Sequence, residues 1–156
     1  MKITTLAAVL CSSLILFGTR SDLLQKEENF VGGTPAGGYV RKFLKIPFDK
    51  ELELIRWQLS LQPDHSFKLA CSFGVIQPNT MNFKGGGEQV SITGKWTTEK
   101  GIKNNPASIV YTLESDQGAS IRMVKMDDRV FHLLFSDKSL LIGNGGWSYT
   151  LNKSRP

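Results

Sequence analysis

The chain is predicted to be all-β, a single antiparallel up-and-down barrel of about eight or nine strands. Three observations carry that expectation. Ile55, Trp57, Leu59 and Leu61 alternate with Arg56, Gln58 and Ser60, and Phe67, Leu69, Cys71 and Phe73 repeat the alternation, the period of strands with one buried face. The chain beyond residue 21 contains no 3.6-residue apolar stripe of ten or more positions, which an amphipathic helix would need. Most strands are joined by turns too short for a crossover, so neighbours run antiparallel. Such a sheet must close into a barrel or fold into a sandwich to bury its apolar face and hide its edges. The uninterrupted hairpins after Ser108 favour the barrel.

The elements follow in order. Residues 22–38 turn polar and then glycine-rich, with Gly32-Gly33-Thr34-Pro35 and Gly37-Gly38, and read as a flexible lead-in. The barrel domain is expected over 39–156. Tyr39 to Ile46 forms a first strand ended by Pro47, and Leu52 to Leu61 a second. Pro63-Asp64-His65-Ser66 reverses the chain, because Pro pre-sets φ and Asp or Ser bonds the local backbone. Phe67 to Phe73 is the third strand. Gly74 to Glu88 holds Pro78, Asn79, Asn82 and the triplet Gly85-Gly86-Gly87, a length at which loops are often functional or mobile. Gln89 to Thr98 follows, with Gly94 leaving room for a neighbouring ring and Trp96 closing the core over it. Asn104-Asn105-Pro106 turns into Ser108 to Glu114, then come Ala119 to Lys125 and Val130 to Phe135. Ser139 to Gly143, the hairpin signal Asn144-Gly145-Gly146, and Trp147 to Asn152 complete the set, with Trp147, Tyr149 and Leu151 on one face.

The amino terminus speaks to compartment. Lys2 precedes an apolar stretch from Ile3 to Phe17, followed by Gly18-Thr19-Arg20-Ser21, the layout of a secretory signal over residues 1–21. It is shorter than the roughly 20 apolar residues of a membrane span. Cleavage after Ser21 removes Lys2 and Arg20 and lowers the formal net charge from +5 to +3. The basic residues are dispersed and not interleaved with stacking aromatics, so nucleic acid is not expected as a partner. Cys11 stands after Ala8-Val9-Leu10 and before Ser12-Ser13-Leu14, a poor context for a lipid anchor, and membrane association is expected only if Cys11 is lipidated. Cys71 shares the alternating face of Leu69 and Phe73 and reads as a buried small hydrophobe.

The residues exclude most catalytic chemistries. Gly146-Trp147-Ser148-Tyr149-Thr150 lacks the nucleophile-elbow motif and its strand-to-helix context. Gly85-Gly86-Gly87 lacks the Lys-Ser/Thr of a phosphate loop and precedes a strand. His65 falls in a turn and His132 shares the face of Val130 and Leu134. Asp127-Asp128 suits a turn better than a hard cation, and Met81, Met123, Met126 and Cys71 lack ligand spacing. No metal, cofactor or catalytic set is expected.

Leu59-Ser60-Leu61-Gln62-Pro63-Asp64-His65-Ser66-Phe67-Lys68-Leu69, then Gly94-Lys95-Trp96, then Tyr111-Thr112-Leu113 resembles the strand-and-turn layout of lipocalin-like bacterial envelope proteins. Among these it is most similar to the amino-terminal barrel of the copper-resistance, envelope-stress outer-membrane lipoproteins. The resemblance covers roughly 53–113 and implies an exported barrel. That family carries a Cys-x-x-Cys pair where this chain has Cys71 alone, so copper handling is not implied, and true lipocalins place Gly-x-Trp near the start of the chain.

The functional expectation is an exported, monomeric, non-enzymatic barrel, periplasmic or extracellular rather than an outer-membrane lipoprotein. It binds a small apolar ligand or serves as an envelope accessory protein. The inward candidates Trp57, Phe73, Trp96, Tyr111 and Tyr149 would line a pocket, with Gly85, Gly86 and Gly87 in a covering loop. The alternative is a protein-interaction module or inhibitor acting through the 74–88 loop.

Overall fold

The computed structural model describes residues 26–155; the expected signal and Cys11 lie outside them. Eight antiparallel strands close into one up-and-down barrel: β1 (Glu28–Pro35), β2 (Leu54–Leu61), β3 (Ser66–Gly74), β4 (Glu88–Ile102), β5 (Asn105–Ser115), β6 (Ser120–Lys125), β7 (Val130–Leu134) and β8 (Thr150–Lys153). Each strand pairs with the next, and β8 returns to β1 through Phe30↔Lys153 and Val31↔Asn152. Closure leaves no open edge for another chain to pair with. One short helix, α1 (Gly38–Leu44), follows β1.

The alternation read in the sequence sets the inside of the barrel. Phe30, Leu59, Leu61, Phe67, Leu69, Leu113, Ile121, Phe131 and Leu151 belong to one buried cluster. Ring pairs bind it laterally: Phe30 and Phe131 centroids lie 4.5 Å apart, and Tyr111 and Phe131 4.9 Å. A second, smaller cluster of Val110, Val124 and Leu134 is buried on the opposite parity of β5, β6 and β7. Burial of this kind is the main favourable term in the fold.

Three expectations are corrected. The segment 22–38 is not a flexible lead-in from Glu28 onward, because β1 occupies Glu28–Pro35. Its glycines are there for close approach: a Cβ on Gly32 would sit 2.5 Å from the Thr150 carbonyl oxygen and 2.8 Å from Leu151 Cδ2. The barrel therefore begins before residue 39. Second, Tyr39 to Ile46 is not a strand, since Gly38–Leu44 is helical. Val40, Phe43 and Leu44 are buried, the i, i+3, i+4 spacing of a helix face, which outweighs the strand preference of Val and the aromatics. Third, Ser139 to Gly143 forms no strand; only Leu140 bridges to Leu134, and β8 begins at Thr150 rather than Trp147.

The helix closes one end of the barrel. Val40, Phe43, Leu44 and Ile46 join the main core, and Lys45 ends the helix in the left-handed conformation with its N–H directed at Arg41 and Lys42 carbonyls. Arg41 then gathers the flanking chain. Its Nε donates to the Ala36 carbonyl (3.0 Å), Nη1 to those of Pro47 (3.3 Å), Phe48 (3.3 Å) and Lys50 (2.8 Å), and Nη2 to that of Leu52 (3.2 Å). A planar five-donor fork suits this fan, and a lysine does not. Hydrogen bonds to charged groups contribute about 1.5–3 kcal/mol each when well made. Because the guanidinium is only part-buried, Arg41→Ala is expected to cost about 2 kcal/mol in chemical denaturation, with Arg41→Lys recovering less than half. Equal stability of Arg41→Ala and the parent would show the fan to be solvent-replaceable.

At the other end, Trp96 is fully buried. Its indole N–H donates to the Gln62 carbonyl (3.1 Å), and His65 stacks on it with centroids 4.2 Å apart. The turns repeat one device. Asp64 accepts from the Ser66 N–H and hydroxyl, and Asp137 does the same with Ser139, while His65 and Lys138 between them take φ near +64°. These bonds hold both carboxyls below the usual carboxylate range.

Candidate functional site: a cleft on the outer face

The five aromatic residues singled out by periodicity are all buried in the main cluster. Trp57 donates from its indole N–H to Thr34 Oγ1 at 2.9 Å, and Trp96 lies 5.5 Å from the Tyr111 ring. Tyr149 sits under the Gly37 backbone, where a Cβ would meet its hydroxyl; burial raises its pKa and a hydrogen bond with the Gly37 backbone opposes that. Phe73 borders a cleft of about 260 Å³ with Gly85, Gly87 and the Lys50–Glu88 ion pair. Trp96 and Tyr111 pack on each other, Trp57 also lines the outer cleft described next, and Trp96, Tyr111 and Tyr149 line neither that cleft nor the one beside Phe73. Burial also pushes the Cys71 thiol up, beyond the range in which thiolates form near neutral pH.

The site with room for a ligand is outside. A cleft of about 510 Å³ lies over the outward face of β1 to β4, between Met81 of the 74–88 loop and Trp147. Its floor is set by register. Gly33, Arg56, Ser72 and Gln89 stand side by side in one cross-strand row, and Val31, Gln58, Ala70 and Ser91 form the next. Ser72 and Ala70 on β3 are the small side chains in the middle of the two rows, flanked by Arg56 and Gln58 on β2. A second groove of about 550 Å³ shares Val31, Gln58, Ala70 and Ser91 and extends along the same strands to Lys68 and Thr93.

Each wall is positioned by an identifiable local cause. Trp147 precedes β8, so its face is not set by strand period; the half-buried ring covers Gly33, where a Cβ would be 3.2 Å from the indole and 3.4 Å from Leu54 Cδ1. Asn144 supports this turn by accepting from the Gly146 and Trp147 N–H groups. The 74–88 loop, expected to lack structure, is internally bonded: Ile76 bridges Phe83, Lys84 N–H donates to the Val75 carbonyl (2.8 Å), and Gln77 N–H to that of Asn82 (2.9 Å). Gly87 is required, because at φ +74° any Cβ would lie 2.7 Å from the Phe83 ring. Gly85 and Gly86 also have positive φ but face open space.

The loop presents Phe83, itself buried, to Arg56, whose guanidinium lies 4.5 Å from the ring centroid, a cation–π arrangement. Met81 remains 63 % exposed at the cleft rim. Among the described residues, no Asp or Glu lines the cleft. Among the described residues, no group of three or more His, Cys, Asp or Glu side chains is placed to hold a metal ion.

Arg56, Met81, Phe83 and Trp147 were not among the expected site residues. One signal was available in the sequence: Leu54 has the outward parity of Arg56 and Gln58 yet is apolar; the structure pairs it with Pro35, two residues from Gly33 on β1. An apolar side chain and a glycine together on an outward face need a cover from outside, which Trp147 supplies. Comparison with family models, curated proteins and solved structures finds no match to this chain.

Proposed function

We propose that the chain is an exported, non-enzymatic, lipocalin-like barrel protein that binds a small, largely apolar ligand, taken in the outer cleft rather than in the lumen. The observation that carries the reading is the cleft walled by Trp147 and Met81. Its volume of about 510 Å³ falls within the roughly 300–1,000 Å³ of small-molecule sites, which pair apolar walls with a few convergent polar groups. Trp96 and Tyr111 inside the barrel support the placement, engaged with each other and with Phe131, and Trp57 lines the outer cleft. The interaction-module alternative draws on the exposed Met81 at the tip of an ordered loop.

The neutral probe Nile red is expected to bind saturably, at about one per chain, and to quench tryptophan fluorescence. Trp147→Ala should weaken binding at least about ten-fold, the loss of a ring that supplies much of the contact area. Trp147 borders the site from outside the main core, so its removal should leave the barrel folded by circular dichroism. Absence of saturable binding to the folded protein would end the small-ligand reading and leave the interaction module through 74–88.

A further inference from the structure

We infer that the ligand of the outer cleft carries an acidic oxyanion, a carboxylate or phosphate, received by Arg56 with Ser72 and Gln89 beside it. The inference rests on the cleft being the binding site proposed above and names the chemistry of its occupant.

Four observations converge. The Arg56 side chain forms no hydrogen bond or ion pair with any described residue, and its guanidinium lies 4.5 Å from the Phe83 ring centroid. A guanidinium stacked on a ring keeps its N–H fork directed outward and pre-organised for bidentate bonding to a carboxylate or phosphate. Second, the register places Ser72 and then Gln89 directly across from Arg56 on the same face. Neither side chain is engaged with any described residue, so a hydroxyl and an amide donor stand in line with the guanidinium. Third, among the described residues no carboxylate side chain lines the cleft to compete for them. Fourth, the cleft also offers apolar surface: Val31 and Ala70 stand in the next row between Gln58 and Ser91, and Trp147 and Met81 form walls. An amphiphile with an anionic head at Arg56 and an apolar body along Val31 and Ala70 matches both parts.

Phe83 is held in place beside Arg56 by its own loop, buried over Gly74 and Gly87. The loop fixes that ring through the Ile76↔Phe83 bridge and a glycine at positive φ whose Cβ would overlap it.

The test uses three probes of one chain length, decanoate, decyl phosphate and decanol, below their micellar concentrations, each displacing Nile red from the mature protein. The anions are expected to outbind decanol by about ten-fold or more, the factor typical of a charge-assisted pair, and the preference should shrink with added salt. Arg56→Gln should bring the three within about three-fold of one another, and Arg56→Lys should keep a partial preference, since it retains the charge and loses the fork. Phe83→Leu, which leaves Arg56 in place without its shelf, should reduce the preference, and circular dichroism checks that each variant is folded. The ranking of decanoate against decyl phosphate identifies the head group. Equal binding of all three by the parent, or an anion preference that survives Arg56→Gln, would overturn the inference while leaving an apolar-ligand cleft. Displacement by none of them, with Nile red bound, would overturn the inference and place the dye elsewhere; no dye binding at all would fell the cleft reading with it.

Discussion

Trp96→Ala is expected to lower the unfolding free energy by about 3–5 kcal/mol, the range for deleting a fully buried Trp, and to lower Tm by on the order of 10–20 °C. The residue has no exposed surface, so truncation leaves an unfilled volume at the end of the barrel far from α1. Three contacts go with it: the indole N–H bond to the Gln62 carbonyl, the His65 stack and the Tyr111 ring at 5.5 Å. The Gln62 carbonyl loses its indole partner beside a new cavity, which adds a desolvation cost. His65 loses the ring that orders its turn, so the β2–β3 hairpin should show faster amide exchange than the rest of the sheet. A midpoint within about 1 kcal/mol of the parent would show that this end of the barrel can collapse around the missing ring.

Gly94→Ala is expected to destabilise by about 3 kcal/mol, the upper end of overpacking effects, although it adds one methyl group. A Cβ there would lie 2.0 Å from the Glu114 carbonyl oxygen and 2.8 Å from Phe67 Cε1. The first is backbone and cannot rotate away, so β4 and β5 must separate around the Gly94↔Ser115 pair. The ring occupying the space above Gly94 is therefore Phe67, and Trp96 closes the core two pairs further along. Gly85→Ala is the control. It meets no atom within 4 Å and bears only the cost of a positive φ, about 1–2 kcal/mol. Parity between the two variants in urea denaturation would show that the β4–β5 pairing tolerates the shift.

The strands between Leu54 and Leu134 were legible because period two and short turns are local properties. Inward alternation in β2 and β3 places Trp57, Leu59, Phe67 and Leu69 inside, as the residues themselves imply. Gly32 and Gly33 misled because composition alone cannot separate a flexible glycine from one pressed against Thr150 and Trp147 across more than a hundred residues of chain. In α1, seven residues carry both aromatic strand formers and helical spacing, and the choice falls to which arrangement seats Val40, Phe43 and Leu44 on the open end of the barrel. The sequence by itself determined an all-β chain with an inward aromatic set, because alternation is written residue by residue. Only the tertiary structure decided that those rings are buried in one core and that a cleft forms on the outer face. Closure brings β1 next to β8, lays Trp147 over Gly33 and carries the 74–88 loop's Phe83 beneath Arg56. Each is a long-range packing event that no local period encodes.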